Sequence, residues 1–354
     1  MPPSDDLLLS QPLYPFRFAP IYKDYLWGGD RLRTQFGRTL PKERIAESWE
    51  IVDRQGNESV ILNGPLRNHT LNKLVRNRCG DLLGTSVAAR CNLERFPLIL
   101  KYLDAGLPLS VQVHPDDATV ARMNLNDNGK TEAWLIVDAE PNSKLWIGTN
   151  RQYTKADLES AICSGELERC LHSVPARVGD CFFLPPGTLH ALGAGIVVAE
   201  VQTNSDVTFR LFDWNRIGPN GLPRTLRVTD GLRSLSAPCG PISAQIPFST
   251  EHRNCECLLI SHPFVLNRWR MWESFIWNND NHAHLWTVVE GTATAIFNAG
   301  RRTACPYRSG REGDPEAIEV LHTGDSIFVP AMCPGLRWTS EGGGRAMLLD
   351  VVVM

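Results

Sequence analysis

From Phe96 onward, short apolar runs alternate with turn residues, and the runs carry the two-residue period of strands. Leu98-Ile99-Leu100-Lys101-Tyr102-Leu103 is followed by Leu109-Ser110-Val111-Gln112-Val113-His114. In the second run the apolar residues alternate with Ser110, Gln112 and His114. Successive side chains of a strand point to opposite faces, so these three share one face. Pro115-Asp116-Asp117 ends the strand and suits a helix start, because proline fits the first turn and carboxylates offset the macrodipole. A short helix to about Met123 and an Asn/Asp/Gly loop then lead to a strand from Glu132 to Val137.

Upstream, Pro12 to Asp30 reads as an extended arm ending in a Trp27-Gly28-Gly29 turn. Glu47–Val52 and Ser59–Leu62 read as strands, and Thr70–Val75 as a short capped helix. Thr154 to Leu171 reads as one or two helices, with Thr154 and Asp157 as a capping box and a break at Ser164-Gly165. Strand and turn patterns resume from Ser173 to Trp214. Asn215 to Gln245, rich in Gly, Pro, Arg and Ser, reads as a connector, and a second β-rich stretch runs from about Pro247 to Met354.

The two β-rich stretches share a motif. Gly179-Asp180-Cys181-Phe182-Phe183-Leu184-Pro185 and Gly324-Asp325-Ser326-Ile327-Phe328-Val329-Pro330 both read as a tight turn feeding a buried strand that stops at proline. Each resembles the second motif of cupins, G(X)5PxGxxH. The first copy is complete, with Gly187 and His190; the second has Gly335 at the histidine position. The expected fold is therefore mainly β, with two tandem cupin-type jelly-roll barrels and a few short helices. The expected division is an N-terminal arm and metal-binding domain over 1–240 and a metal-free domain over 241–354.

Bulk properties narrow the function. A chain of 354 residues suits about two domains. A net charge of −3 without a lysine or arginine block gives no basic face for nucleic acid. The ten cysteines form no regular framework, and the Cys255/Cys257 pair reads as buried or incidental thiols. No signal-peptide pattern or membrane-length apolar stretch is seen, so a cytoplasmic protein with no membrane partner is expected.

The densest chemistry lies in Gln112, His114, Glu132 and His190. Cupins place HxH on one strand, a glutamate further on and a final histidine in the second motif; Gln112-Val113-His114 stands at the HxH position. Two imidazoles, a carboxylate and an amide oxygen suit Zn²⁺, with other divalent ions as alternatives. The surrounding segments resemble type I mannose-6-phosphate isomerases in their short bacterial form. They include Trp27-Gly28-Gly29, Glu47-Ser48-Trp49-Glu50, Gln112-Val113-His114-Pro115, Gly129-Lys130-Thr131-Glu132-Ala133-Trp134, Pro186-Gly187-Thr188-Leu189-His190 and Glu200-Val201-Gln202-Thr203-Asn204-Ser205-Asp206, the last running on to Arg210. The resemblance is close over about Pro12 to Arg216 and looser beyond.

That resemblance implies Gln112, His114, Glu132 and His190 as ligands of one Zn²⁺, and Arg210 as a catalytic arginine. It also implies a sugar phosphate as substrate, interconverted between mannose 6-phosphate and fructose 6-phosphate through a cis-enediol. Lys130, two residues before Glu132 on an alternating strand, is the candidate base. Asp206 is a candidate for ring opening or for holding Arg210. Ser110 and Lys101 are candidate phosphate contacts, and Trp27 and Trp134 candidate pocket walls, although core packing suits both tryptophans as well. A monomer or weak homo-oligomer is expected. His282-Ala283-His284 imitates an HxH but lies too close to Gly291 and faces Gly335 in place of a partner histidine. Two rivals remain at this point: another metal cupin enzyme such as a dioxygenase, and a sugar-phosphate-binding cupin without catalysis.

Overall fold

A computed structural model describes residues 5–90, 94–218, 221–236, 240–298, 316–340 and 344–354. The chain is mainly β and divides into two compact units, each discontinuous in sequence. A middle unit comprises Tyr22–Ser48 and Lys101–Gln245. A terminal unit comprises Met1–Ile21, Trp49–Leu100 and Ile246–Met354. The units change over at Gln245/Ile246, and segments 1–21 and 49–100 group with the C-terminal stretch.

The strand from Leu98 runs to Ala105, and the one from Glu132 runs to Ala139. They belong to a six-stranded sheet whose spatial order is Ile21–Lys23, Glu47–Ile51, Leu98–Ala105, Ile196–Thr203, Glu132–Ala139, Cys181–Leu184. A five-stranded sheet has the order Phe209–Phe212, Val111–Val113, His190–Leu192, Lys144–Thr149, Leu171–Pro175. Leu103, Trp134, Ile136, Phe182 and Val198 of the first sheet share one buried cluster with Leu145, Ile147 and Leu192 of the second. The two sheets pack face to face through this cluster. In the terminal unit a six-stranded and a four-stranded sheet pack through Trp277, Trp286 and Trp338, with ring centroids 5.2–5.4 Å apart. Among the described residues, none of these sheets closes on itself. The expected barrels are corrected to open sheets, whose end strands each have one sheet neighbour.

Local signals account for much of the connecting structure. Thr70 caps a helical segment over Leu71–Leu83 that kinks at Arg78 and runs past the expected end, with Leu74, Val75, Leu82 and Leu83 buried. Asp116 caps the helix Asp117–Arg122, and Thr154 with Asp157 forms the capping box of Lys155–Cys163. The Ser59–Leu62 segment makes only isolated bridges at Val60 and Ile61, and the connector holds a helix, Val228–Ser234. The Trp27-Gly28-Gly29 turn is tightly packed: a Cβ on Gly29 would lie 2.0 Å from Asp104 Oδ1. No described helix is long and apolar enough to cross a membrane.

Candidate metal centre

Three neighbouring strands of the five-stranded sheet set a row of side chains. Arg210 and His190 both lie directly opposite Gln112, one on each side. Directly opposed residues of antiparallel strands point to the same face, so the three share it. His114 follows the end of the Gln112 strand, where the chain turns toward the Asp116 cap. Glu132 comes from the other sheet, as the first residue of its strand, opposite Leu184 and Gln202. The site is closed by residues far apart in sequence because two sheets face each other there.

The donor atoms converge. Glu132 Oε2 lies 3.3 Å from His114 Nε2 and 3.4 Å from His190 Nε2, and all three residues are buried. One ligand atom from each falls within 4.8 Å of the others, the one such group among the described residues. Gln112 reaches the same point, its amide 3.3 Å from His190 Nε2. A half-turn of the amide exchanges nitrogen for oxygen and presents a ligand atom.

The surroundings leave both imidazoles able to serve as ligands. His114 Nδ1 lies 2.8 Å from the Val207 carbonyl and His190 Nδ1 2.9 Å from the Thr188 carbonyl. A carbonyl only accepts, so each Nδ1 carries the proton and each Nε2 turns a lone pair inward. Burial pushes both imidazoles below their ordinary pKa, His190 to about 4, which keeps them neutral and able to bind a cation. Burial opposes the charge on Glu132, but its charged and hydrogen-bonding neighbours, Lys130 among them, outweigh it and hold the carboxyl well below its usual range. His114 Nε2 and Glu132 Oε2 have no hydrogen-bond partner despite complete burial. Orphaned buried polar atoms are costly, and a divalent cation among them satisfies both at once. The residues present therefore fit a metal ion.

The other expected site residues fall into three settings. Lys130 is buried, with Nζ 2.6 Å from Glu132 Oε1, so it touches the ligand from the side away from the histidines. Arg210 Nε donates to Ser110 Oγ at 3.0 Å and Nη1 to the Thr225 carbonyl at 3.3 Å. Asp206 is exposed; its backbone N–H donates to Asp127 Oδ2, and Arg210 takes its hydrogen bonds elsewhere. Lys101 is buried between two carboxylates, 3.2 Å from Glu47 Oε2 and 3.1 Å from Glu200 Oε1. Trp27 is buried in the core cluster beside Trp134.

Glu47 and Glu200 received no role from sequence reasoning. Burial opposes the charge on Lys101, yet Glu200 and Glu47 outweigh it and hold the ammonium above its ordinary value. Glu200 is itself pushed up to about 7, by burial and then by the charge of Glu132. It accepts Trp134 Nε1–H at 2.7 Å, and the Trp134 ring stands edge-on to His190 with centroids 5.4 Å apart.

A pair of stacked antiparallel sheets holding a buried His/Glu/His set, with a lysine and an arginine beside it, defines a metal-binding β protein equipped for charge stabilisation. The family model of the phosphomannose isomerase type I catalytic domain matches residues 15–135. Mannose-6-phosphate isomerase ManA of Bacillus subtilis is 33% identical over 332 residues, covering 88% of this chain and 99% of its own. A mannose-6-phosphate isomerase of Streptococcus mutans is 34% identical over 248 residues, covering 70% and 75%. The crystal structure of the mannose 6-phosphate isomerase from Bacillus subtilis superposes with a TM-score of 0.81 at 27% identity, over 96% of this chain and 99% of that one. The chain belongs to the type I phosphomannose isomerase family.

Proposed function

We propose that the protein is a metal-dependent aldose–ketose isomerase that interconverts mannose 6-phosphate and fructose 6-phosphate. The observation that carries this reading is the convergence of His114, Glu132 and His190 beside Lys130 in a chain of this family. A divalent ion bound by Gln112, His114, Glu132 and His190, Zn²⁺ in our reading, supplies Lewis-acid charge beside the sugar oxygens. Lys130, once it has given up its own proton, takes the proton from C2 and returns it to C1, through an enediol with both oxygens on one side, while a hydroxyl proton passes from O2 to O1. Arg210, aimed by Ser110, holds a fixed positive charge toward the enediolate. Asp206, at the exposed rim, serves ring opening.

The phosphate lies farther from the metal. The Ser110 oxygen accepts from Arg210, which leaves its own proton to donate to a phosphate oxygen. Lys101 adds positive charge beneath, although Glu47 and Glu200 compete for it. Trp27 shapes the wall from within the core. We take the working form to be cytoplasmic, a monomer or weak homo-oligomer, with its two sheet pairs as tandem jelly rolls.

Anaerobic incubation with mannose 6-phosphate tests the reading. Fructose 6-phosphate forming without oxygen supports it. A fully metallated protein that binds the sugar phosphate without turning it over contradicts it, as does turnover that requires O₂.

A further inference from the structure

The six-stranded sheet of the terminal unit repeats the one that carries Glu132 strand for strand. Its six-stranded sheet runs Phe248–Ser249, Cys255–Ile260, Phe264–Met271, Ala346–Val353, His284–Glu290, Ser326–Val329. Ranked along the chain, these strands occupy the same spatial order as those of the six-stranded sheet that carries Glu132. The register repeats too. Glu132 faces Leu184 and Trp134 faces Glu200; His284 faces Val329 and Trp286 faces Asp350. Leu184 and Val329 each precede the motif proline. On the other sheet His190 faces Gln112, and Gly335, at the same motif position, faces Asn278.

These pairings set the ligand positions of one unit against the other. Asn278 stands where Gln112 stands, Asp280 where His114 stands, His284 where Glu132 stands, and Gly335 where His190 stands. Acid and imidazole have changed places. His284 is buried, with Nε2 3.0 Å from Asp280 Oδ1 and Nδ1 2.7 Å from Asp350 Oδ1. A carboxylate oxygen accepts, so both ring nitrogens are set to donate, which requires both to carry protons. Gly335 has φ 143°, and a Cβ there would lie 2.3 Å from the Trp277 carbonyl oxygen. The backbone at this position has no room for a histidine.

We propose that His284, Asp280 and Asp350 form a metal-free counterpart of the metal centre, in which the imidazolium itself is the cation that ties the strands together. Asp350 reaches it from the neighbouring strand, and Asp280 from the segment just before its own strand. His282 Nδ1 lies 3.2 Å from Asp280, and the buried Cys255 thiol, pushed up to about 12 by burial, also feels the charge of Asp350. Trp277 and Trp286 pack on the His284 ring, and Asn267 donates to Asp350 Oδ2 at 3.2 Å.

Electrostatics agrees with the geometry. Burial opposes charge on His284, but Asp350 and Asp280 outweigh it and raise the imidazole to about 9. A histidine whose folded pKa lies above its unfolded value stabilises fully below about 6.5. That contribution is lost as pH rises through about 9. This tie needs no metal, and it weakens in alkali.

The test is long-range ¹H–¹⁵N spectroscopy of histidine rings in the full chain, apo and with Zn²⁺ added, with His284→Gln to assign the signal. Both His284 nitrogens are expected to be protonated at neutral pH and unmoved by Zn²⁺, while His114 and His190 shift. One bare nitrogen on His284, or a shift on adding Zn²⁺, overturns the proposal. A second measurement does not depend on that assignment. Asp280→Asn should lower Tm by about 5 °C near neutral pH, as losing one charged hydrogen bond implies, and the gap from the parent should close as pH passes about 9. Equal Tm values at neutral pH, or a gap that is the same in alkali, contradict the assignment.

Discussion

Lys101→Met would leave the Glu47 and Glu200 carboxylates facing each other across a buried gap. The ammonium sits within 3.2 Å of both, and all three side chains are shielded from water. Removing one partner from a buried ion pair costs about 3–5 kcal/mol, because the remaining charge loses its compensation without regaining water. With about 2–4 °C of Tm per kcal/mol for a unit of this size, a fall of about 6–20 °C is expected. The penalty should depend on pH with a definite sign. Glu200 is already raised to about 7, and losing Lys101 raises it further. An acid whose folded pKa exceeds its unfolded value favours the fold below the unfolded pKa, and that advantage is lost as pH rises through the folded one. Lys101→Met should therefore be most damaging above about pH 7 and milder in acid. The assay is thermal unfolding of parent, Lys101→Met and Lys101→Arg across pH, alongside KM for mannose 6-phosphate. A Tm fall below about 2 °C, below the pair-breaking magnitude, or a penalty that is flat with pH, would refute the buried-pair reasoning. A raised KM at unchanged Tm would instead mark Lys101 as free to meet the phosphate.

Three further outcomes follow from the same geometry. Glu132→Gln removes the ligand charge that both histidines face, so metal affinity measured against a competing chelator should fall beyond the roughly 10–100-fold typical of outer-shell changes. Lys130→Ala should lower kcat by about 10²–10⁴ with metal content retained, the range for loss of a general base; unchanged single-turnover rates would remove Lys130 from that role. Ser110→Ala takes the acceptor from Arg210 Nε, and kcat/KM should drop about 10-fold, the weight of one charge-assisted hydrogen bond. A kcat/KM equal to the parent's would show that Arg210 is aimed by other contacts.

Much of the metal centre was legible because it rests on local rules. The alternation of Ser110, Gln112 and His114 against apolar neighbours places them on one face, and the Pro115-Asp116 step fixes where the strand ends. Capping signals at Thr70 and Thr154 marked two helix starts, each with its side-chain bond, and the carboxylates after Pro115 marked a third, where Asp116 turns out to be the cap. What stayed hidden depends on long-range pairing. Lys101 lies 54 residues from Glu47, and nothing in either segment announces that an ion pair will form. The Ser59–Leu62 run has strand composition but ends as single bridges. Periodicity reports burial of a face, not the number of hydrogen-bonded neighbours available to it. The exchange of acid and imidazole between the units was also invisible in sequence. The four compared positions are spaced differently: 18 residues separate His114 from Glu132, and only 4 separate Asp280 from His284. Strand register makes the comparison possible.

The central claim is that a divalent ion held by Gln112, His114, Glu132 and His190 serves sugar-phosphate isomerisation. Its most direct test is the rate of fructose 6-phosphate formation from mannose 6-phosphate by purified protein, measured before chelation, after chelation and after adding Zn²⁺ back. The account predicts activity that disappears with the chelator and returns with Zn²⁺. Activity that persists in metal-free protein, or no activity in the fully metallated protein, would contradict it.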